Sequence, residues 1–140
     1  MEIVINNCFG GFSLSIEGEK EYAKMKGFEL FFYEQTGYKH LEGEDEYKKV
    51  VADGGLLTYS IKKDLGDTVK ELPKEDSLWF TDREIDRNDS DLIKMVKEDS
   101  KKYSGRCASL KIVEIPDDAE WQIEEYDGSE HIAEKHRIWR

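Results

Sequence analysis

The sequence has little cysteine, and its cysteines are not arranged for chemistry. Cys8 and Cys107 are the only two, and neither belongs to a CxxC pair. Structural and catalytic zinc sites draw on clustered Cys, His or carboxylate ligands, so this spacing disfavours a metal site. The pattern predicts two free thiols in a reducing compartment.

Long apolar runs and catalytic signatures are also missing. The first residues, MEIVINNCF, have no basic region and only a short apolar run, which predicts neither a signal peptide nor a membrane span and favours the cytoplasm. The sequence contains no P-loop, GxSxG or HExxH pattern. We therefore predict no catalytic residue, no cofactor and no metal. A nucleotide hydrolase that uses an unrecognised set of carboxylates is the catalytic alternative.

Positive charge is scarce as well. The chain has 21 basic and 32 acidic residues, a formal net charge of -11. General nucleic-acid binding depends on neutralising phosphates, and anionic membranes repel acidic proteins, so both partners are disfavoured. An acidic surface that mimics DNA and inhibits a host nuclease or regulator remains open. Every arginine falls in the second half of the chain: Arg83, Arg87, Arg106, Arg137 and Arg140.

Length and periodicity predict one folded domain. A chain of 140 residues buries roughly two-thirds of the surface that its unfolded form exposes, so we predict a single α+β domain over residues 1–140. The predicted order is β-α-β-β-β-α-β-β, with about two helices and a largely antiparallel sheet. Strands are predicted at 2–8, 28–35, 55–63 and 106–116, helices at 16–26 and from about 90 to 103, a loop at 36–49, a connector at 64–76 and an extended segment at 77–81.

The ends of several elements carry recognisable signals. Ser13 or Ser15 is a candidate N-cap for the first helix, and Gly27 is a candidate stop. For the second helix, Asp89 or Ser90 is the candidate cap. Near the C-terminus, the Asp127–Gly128 pair favours a β-hairpin, and a terminal helix that begins at Ser129 is the alternative.

The stretch DREIDRND, at 82–89, is the leading candidate for anion binding. Arg83 and Arg87 share a face whether the segment is extended or helical, and a capped helix follows. Two neighbouring guanidinium groups favour an anion between them, and that anion comes either from a ligand or from acids of the protein itself. Asn88 is a candidate helix cap or a hydrogen-bond donor to the same ligand.

A glycine-rich turn, CFGGFSLS at 8–15, is a second candidate. Adjacent glycines allow backbone amides to approach a phosphate before a helix begins, and Phe9 or Phe12 could stack on a base. The pattern lacks the third glycine of a dinucleotide-binding fingerprint. An ordinary turn between a strand and a helix is the alternative.

Several stretches together resemble a family of small phage and prophage proteins. They are IVINNCFGGFSLS, DREIDRNDSDLI, SGRCASLKIVEIPDD, WQIEEYDG and EHIAEKHRIW, and they cover most of the chain apart from about 36–76. The pattern is similar to anti-Thoeris sponges, which capture cyclic ADP-ribose isomers made by a bacterial TIR-domain defence. This resemblance implies a protein that is not an enzyme, forms a homodimer or a larger homo-oligomer, and holds the intact signal in the cytoplasm of an infected or lysogenic host.

The residue chemistry and the resemblance together define an expected ligand site. The arginines would bind the pyrophosphate of the ligand, and an aromatic ring would stack on its adenine. The predicted ligand-binding residues are Gly10, Gly11, Phe12, Phe80, Arg83, Arg87, Asn88 and Arg106.

Overall fold

The computed structural model of the protein describes residues 1–50 and 58–135. These residues form two α-helices and eight strands, and every strand pairing among them is antiparallel, which confirms the predicted α+β class. None of the helices in the described part of the chain is long and apolar enough to cross a membrane. The helices are α1 (Ile16–Lys26) and α2 (Ser90–Tyr103), and the strands are β1 (Glu2–Asn6), β2 (Phe31–Gly37), β3 (Glu46–Val50), β4 (Tyr59–Ile61), β5 (Thr68–Val69), β6 (Leu110–Glu114), β7 (Trp121–Tyr126) and β8 (Ser129–Glu134).

The contacts of the chain fall into two compact units. The first unit combines Met1–Gly18 with Asp82–Arg140, and the second is the continuous stretch Glu19–Thr81. The boundary at Gly18 falls inside α1. The prediction of a single domain stays a prediction.

The first unit is built on a ribbon of β1 and β6. Glu2 pairs with Glu114 at one end and Asn6 with Leu110 at the other. Apolar side chains of β1 are buried because α2 packs on this ribbon. The buried apolar residues of these three elements are Ile3, Val4, Ile5, Leu92, Met95, Val96, Tyr103 and Leu110.

Helix α2 agrees closely with its prediction. The Asp89 side chain accepts hydrogen bonds from the amides of Asp91 (2.9 Å) and Leu92 (3.2 Å), so Asp89 is the N-cap. A carboxylate here also faces the positive end of the helix dipole. Ile93 is only half-buried, and Met95 occupies the buried stripe instead.

The C-terminal segment is a hairpin, and the alternative of a helix from Ser129 is wrong. Strands β7 and β8 pair from Trp121 with Glu134 to Tyr126 with Ser129. Asp127 and Gly128 connect them with φ of 50° and 88°. Positive φ at both positions is the geometry of the tight hairpin turn that an Asp-Gly pair favours.

Helix α1 begins at Ile16, so Ser15, one of the two predicted N-cap residues, directly precedes it. The Ser15 Oγ accepts a hydrogen bond from the Gly18 amide (3.0 Å) and donates one to the Lys102 carbonyl (2.7 Å). The helix ends at Lys26, and Gly27 follows with a φ of 89°, a left-handed conformation that glycine adopts without strain. Both predicted limits of this helix are confirmed.

The second unit contains a four-stranded sheet in the order β4-β2-β3-β5. Tyr33 of β2 is fully buried in this unit. Its hydroxyl donates a hydrogen bond to the Gly66 carbonyl (2.9 Å) and accepts one from the Leu65 amide (2.8 Å). The expected loop at 36–49 is wrong, because this stretch contains the end of β2 and most of β3. Three of the five residues of β3 are charged, so its sequence shows no apolar alternation, and one of them, Lys48, pairs with Glu34 of β2.

Other boundaries also moved. Strand β2 begins three residues later than predicted, at Phe31, and β6 begins at Leu110. Of the strand expected at 55–63, the described part contains β4, whereas 51–57 lie outside the described residues. The connector at 64–76 includes the short strand β5. Three short 3-10 helices, Lys39–Leu41, Asp76–Leu78 and Asp82–Glu84, complete the elements, so 77–81 is extended only from Trp79 onward.

Candidate functional site

An open groove of about 740 Å³ lies entirely within the first unit. We call it the arginine groove. It brings together the glycine-rich turn, the arginine segment and the tip of the β7–β8 hairpin. Its lining residues are Phe9, Gly10, Gly11, Phe12, Ser13, Asp82, Arg83, Arg87, Glu125, Asp127, Gly128 and Glu130.

The strongest interaction in the groove joins Arg87 to Glu130. The guanidinium donates through Nη1 to Oε1 (2.6 Å) and through Nη2 to Oε2 (2.9 Å), which is the bidentate arrangement of a planar fork on a carboxylate. The Glu130 side chain is only 5% exposed and that of Arg87 is 20% exposed. The anion that Arg87 binds is therefore an acid of the protein, from the distant strand β8.

Arg87 also stacks on Phe12. Its guanidinium carbon lies 3.7 Å from the centre of the Phe12 ring, within the range of a cation–π contact. One face of Phe12 is thus covered by the protein rather than offered to a base. The stack links the glycine-rich turn to the arginine segment.

The same pair closes one edge of β1. The Val4 amide donates to the Arg87 carbonyl (2.7 Å), and the Asn6 amide donates to Glu130 Oε1 (2.8 Å). These amides lie on the edge of β1 opposite β6, and an edge of this kind otherwise needs a neighbouring strand to pair its backbone groups. Arg87 and Glu130 therefore satisfy backbone groups that would be costly to bury without a partner.

The glycine-rich turn is fixed from both sides. Asn6 is fully buried, and its Nδ2 donates to the carbonyls of Cys8 (2.7 Å) and Gly128 (2.8 Å). A methyl group added at Gly10 would collide with the backbone of Cys107, and one at Gly128 would collide with the Gly11 amide nitrogen. Close approach of backbone to backbone, rather than a bound phosphate, explains glycine at both of these positions.

Asp82 occupies the wall of the groove beside the turn. Its Oδ2 accepts a hydrogen bond from the Leu14 amide (2.9 Å). Burial raises the pKa of the Asp82 carboxyl, while the Leu14 amide and the Arg83 guanidinium act in the opposite direction. The carboxyl therefore costs more to ionise here than in water.

Acids outnumber bases in the groove. Its lining contains four carboxylates, Asp82, Glu125, Asp127 and Glu130, and two guanidinium groups. Arg87 is neutralised by Glu130, and the lining also contains Arg83 and the other three acids. This mixture differs from the pair of arginines expected to clamp one pyrophosphate.

The structure brings together five of the eight predicted ligand-binding residues: Gly10, Gly11, Phe12, Arg83 and Arg87. The other three do not line the groove. Phe80 belongs to the second unit, where its ring packs against Tyr22 and Phe28 with centroids 6.0 Å apart in each pair. Asn88 and Arg106 are exposed, and the helix cap is Asp89 rather than Asn88.

Sequence reasoning missed the contribution of the hairpin. Glu125, Asp127 and Glu130 reach the groove because the turn at Gly128 rests against the glycine-rich turn. The Asp-Gly pair predicted the hairpin but not its neighbour. No group of three or more His, Cys, Asp or Glu residues in the described part of the chain is arranged to hold a metal ion.

Comparison with known proteins adds no relative. No protein-family model, no curated protein and no solved structure matches the chain.

Proposed function

We propose that this protein is a phage-encoded immune-evasion protein that sequesters a cyclic ADP-ribose signal by binding alone and so blocks a TIR-based Thoeris defence. The observation that carries the proposal is the meeting of the Gly10–Phe12 turn and the arginine segment in one groove. Both were candidates for nucleotide binding on separate grounds. These two segments lie in distant parts of the sequence, and the fold of the first unit brings them together.

The dimensions and aromatic content of the arginine groove suit a nucleotide. Small-molecule sites usually measure about 300–1,000 Å³, and the groove falls within that range. Phe9 is 68% exposed at its rim, which makes this ring available to stack on a base. Arg83 supplies a guanidinium for a phosphate.

The acids of the groove have a role in the same proposal. Carboxylates accept hydrogen bonds from ribose hydroxyls, as acidic residues do in dinucleotide-binding folds. Glu125 and Asp127 are exposed on the hairpin and line the groove. A ligand with two riboses and one pyrophosphate matches several acceptors and one guanidinium better than a bare phosphate would.

The proposal includes an assembly and a location. The protein acts in the cytoplasm of the infected or lysogenic host, as a homodimer or a larger homo-oligomer. Light scattering coupled to size-exclusion chromatography measures the assembly, and a monomer at micromolar concentration would contradict this part alone.

Capture without turnover is tested by heating a complex. The protein is incubated with cyclic ADP-ribose isomers, separated from free ligand and denatured, and the released compound is identified by mass spectrometry. A sponge returns intact ligand. Its complex with the ligand is expected to have a dissociation constant of about nanomolar order, which corresponds to a binding free energy of about 12 kcal/mol. Arg83→Gln is expected to weaken capture, while Arg106→Gln, which removes an exposed arginine outside the groove, is the matched control. Recovery of hydrolysed ligand would favour an enzyme.

The formal charge of -11 favours a second candidate, an acidic protein that inhibits a nuclease or regulator of the host by mimicking DNA. Such binding would weaken steeply with salt, because it depends on many exposed charges. It would also be insensitive to Arg83→Gln. Affinity measured at two salt concentrations against a DNA-binding target therefore separates the two candidates.

A further inference from the structure

We infer that Glu130 is a positioning residue that gives the two arginines of the groove different tasks. Glu130 holds the Arg87 guanidinium over the Phe12 ring, and Arg83 is the arginine that contacts an anionic group of the ligand. The role of Arg83 rests on the proposed function, whereas the role of Glu130 rests on contacts within the protein.

The geometry of Glu130 is that of a group fixed in place. Its Oε1 accepts from both the Asn6 amide (2.8 Å) and Arg87 Nη1 (2.6 Å), and its Oε2 accepts from Arg87 Nη2 (2.9 Å). With a side chain only 5% exposed, Glu130 has little contact with solvent. In this protein the three hydrogen bonds of Glu130 hold both oxygens of the carboxylate, so its partner Arg87 is held in one orientation.

Arg87 transmits that orientation to the groove. Two hydrogen bonds to one carboxylate define the plane of the guanidinium, and its central carbon lies 3.7 Å from the centre of the Phe12 ring. A single hydrogen bond would leave the guanidinium free to rotate. The backbone of the turn that carries Phe12 is held by Asn6 and by close backbone contacts, whereas the Phe12 ring is supported by its contact with Arg87. The support comes from β8, through Arg87.

Arg83 is suited to the other task by its position. It is exposed, and it lines the same groove as Arg87. A ligand phosphate that approached Arg87 would have to displace a buried carboxylate from two charge-assisted hydrogen bonds. A phosphate that approaches Arg83 meets a guanidinium at the surface.

The positioning role has a spectroscopic signature that needs no ligand. Protons of the Arg87 side chain lie over the Phe12 ring, so their NMR resonances are expected to be shifted upfield by the ring current. Glu130→Gln replaces one acceptor by a donor that faces Arg87, and the upfield shift is expected to collapse while most amide resonances stay in place. Glu124→Gln, which removes an exposed charge from the same hairpin without touching Arg87, is the matched control. An unchanged Arg87 resonance in Glu130→Gln would overturn the positioning role.

The effect of Glu130 on binding is measured with cyclic ADP-ribose as the probe. Single and double variants are compared in a double-mutant cycle. Glu130→Gln is expected to weaken binding about fivefold or more, and Phe12→Leu by a similar factor, as loss of a stacking surface does. If Glu130 acts through Phe12, Glu130→Gln has little further effect in the Phe12→Leu protein. Equal factors in both backgrounds would assign Glu130 a general structural role and overturn the inference.

Arg83→Gln completes the set. This substitution is expected to lower the affinity for cyclic ADP-ribose about tenfold and to reduce the salt dependence of binding. The Arg87 side-chain resonance is expected to stay unchanged. Unchanged affinity in Arg83→Gln would overturn the assignment of tasks. Failure of the wild-type protein to bind the probe would overturn the proposed function together with the role of Arg83, and the NMR result would still decide whether Glu130 positions Arg87.

Discussion

Arg87→Met is expected to destabilise the first unit far more than Arg83→Met does. The change leaves Glu130, whose side chain is 5% exposed, without the two hydrogen bonds of 2.6 and 2.9 Å that balance its charge. Removing one partner of a buried ion pair costs about 3–5 kcal/mol. Because Arg87 is 20% exposed and water can partly replace it, we expect the lower end of that range, about 3 kcal/mol.

Urea unfolding measures the loss. With Trp79 and Trp139 replaced by phenylalanine, the fluorescence of Trp121 in β7 reports on the first unit. At an m value of about 2 kcal/mol/M, a loss of about 3 kcal/mol lowers the midpoint by about 1.5 M. Arg83→Met removes an exposed side chain from the same segment and is expected to cost less than about 1 kcal/mol.

A second substitution distinguishes the ion pair from general damage. Adding Glu130→Gln to Arg87→Met removes the charge that was left uncompensated, so the double variant is expected to be more stable than Arg87→Met by about 1 kcal/mol or more. Additive losses, or equal losses for Arg87→Met and Arg83→Met, would refute a buried ion pair.

Two further predictions concern the same groove. Burial raises the pKa of Asp82, so its stabilising contribution is complete below the pKa of the unfolded chain and falls as pH rises through the folded value. The stability of the wild type relative to Asp82→Asn is therefore expected to fall as the pH of urea titrations rises above the ordinary pKa of an aspartate, and a rise would contradict the burial. Gly128→Ala combines a φ of 88° with a collision at Gly11 and is expected to cost about 2–3 kcal/mol, against about 1 kcal/mol for Gly66→Ala, where φ is 91° and no atom lies within 4 Å. Thermal unfolding measures the loss of stability in each variant. Equal losses would show that the hairpin turn relaxes to accommodate the added methyl group.

The elements that could be predicted are those whose signals are local. The cap at Asp89, the stop at Gly27 and the turn at Asp127–Gly128 each depend on a few neighbouring residues, and each is confirmed. Strand β3 was missed because three of its five residues are charged, so its sequence shows no apolar alternation.

The site was predictable only in part. Period and spacing predicted that Arg83 and Arg87 need an anion, and left open whether a ligand or the protein provides it. The answer for Arg87 is Glu130, which lies in another strand, and no local pattern identifies a partner so far along the chain. Phe80 was misplaced for the same reason: proximity to Arg83 in sequence did not carry over to the groove.

The pairing of β1 with β6 has a consequence for synthesis of the chain. Ribosomes add about 5–20 residues per second, so roughly 5–20 s pass between emergence of Asn6 and of its partner Leu110. The second unit is continuous in sequence and is made within that interval. During this time β1 has neither its partner strand nor Glu130 beside it, and helix α2 is made only near the end of the interval. The nascent chain is thus exposed to aggregation until β6 is translated, and a chaperone that binds short apolar segments would act on β1.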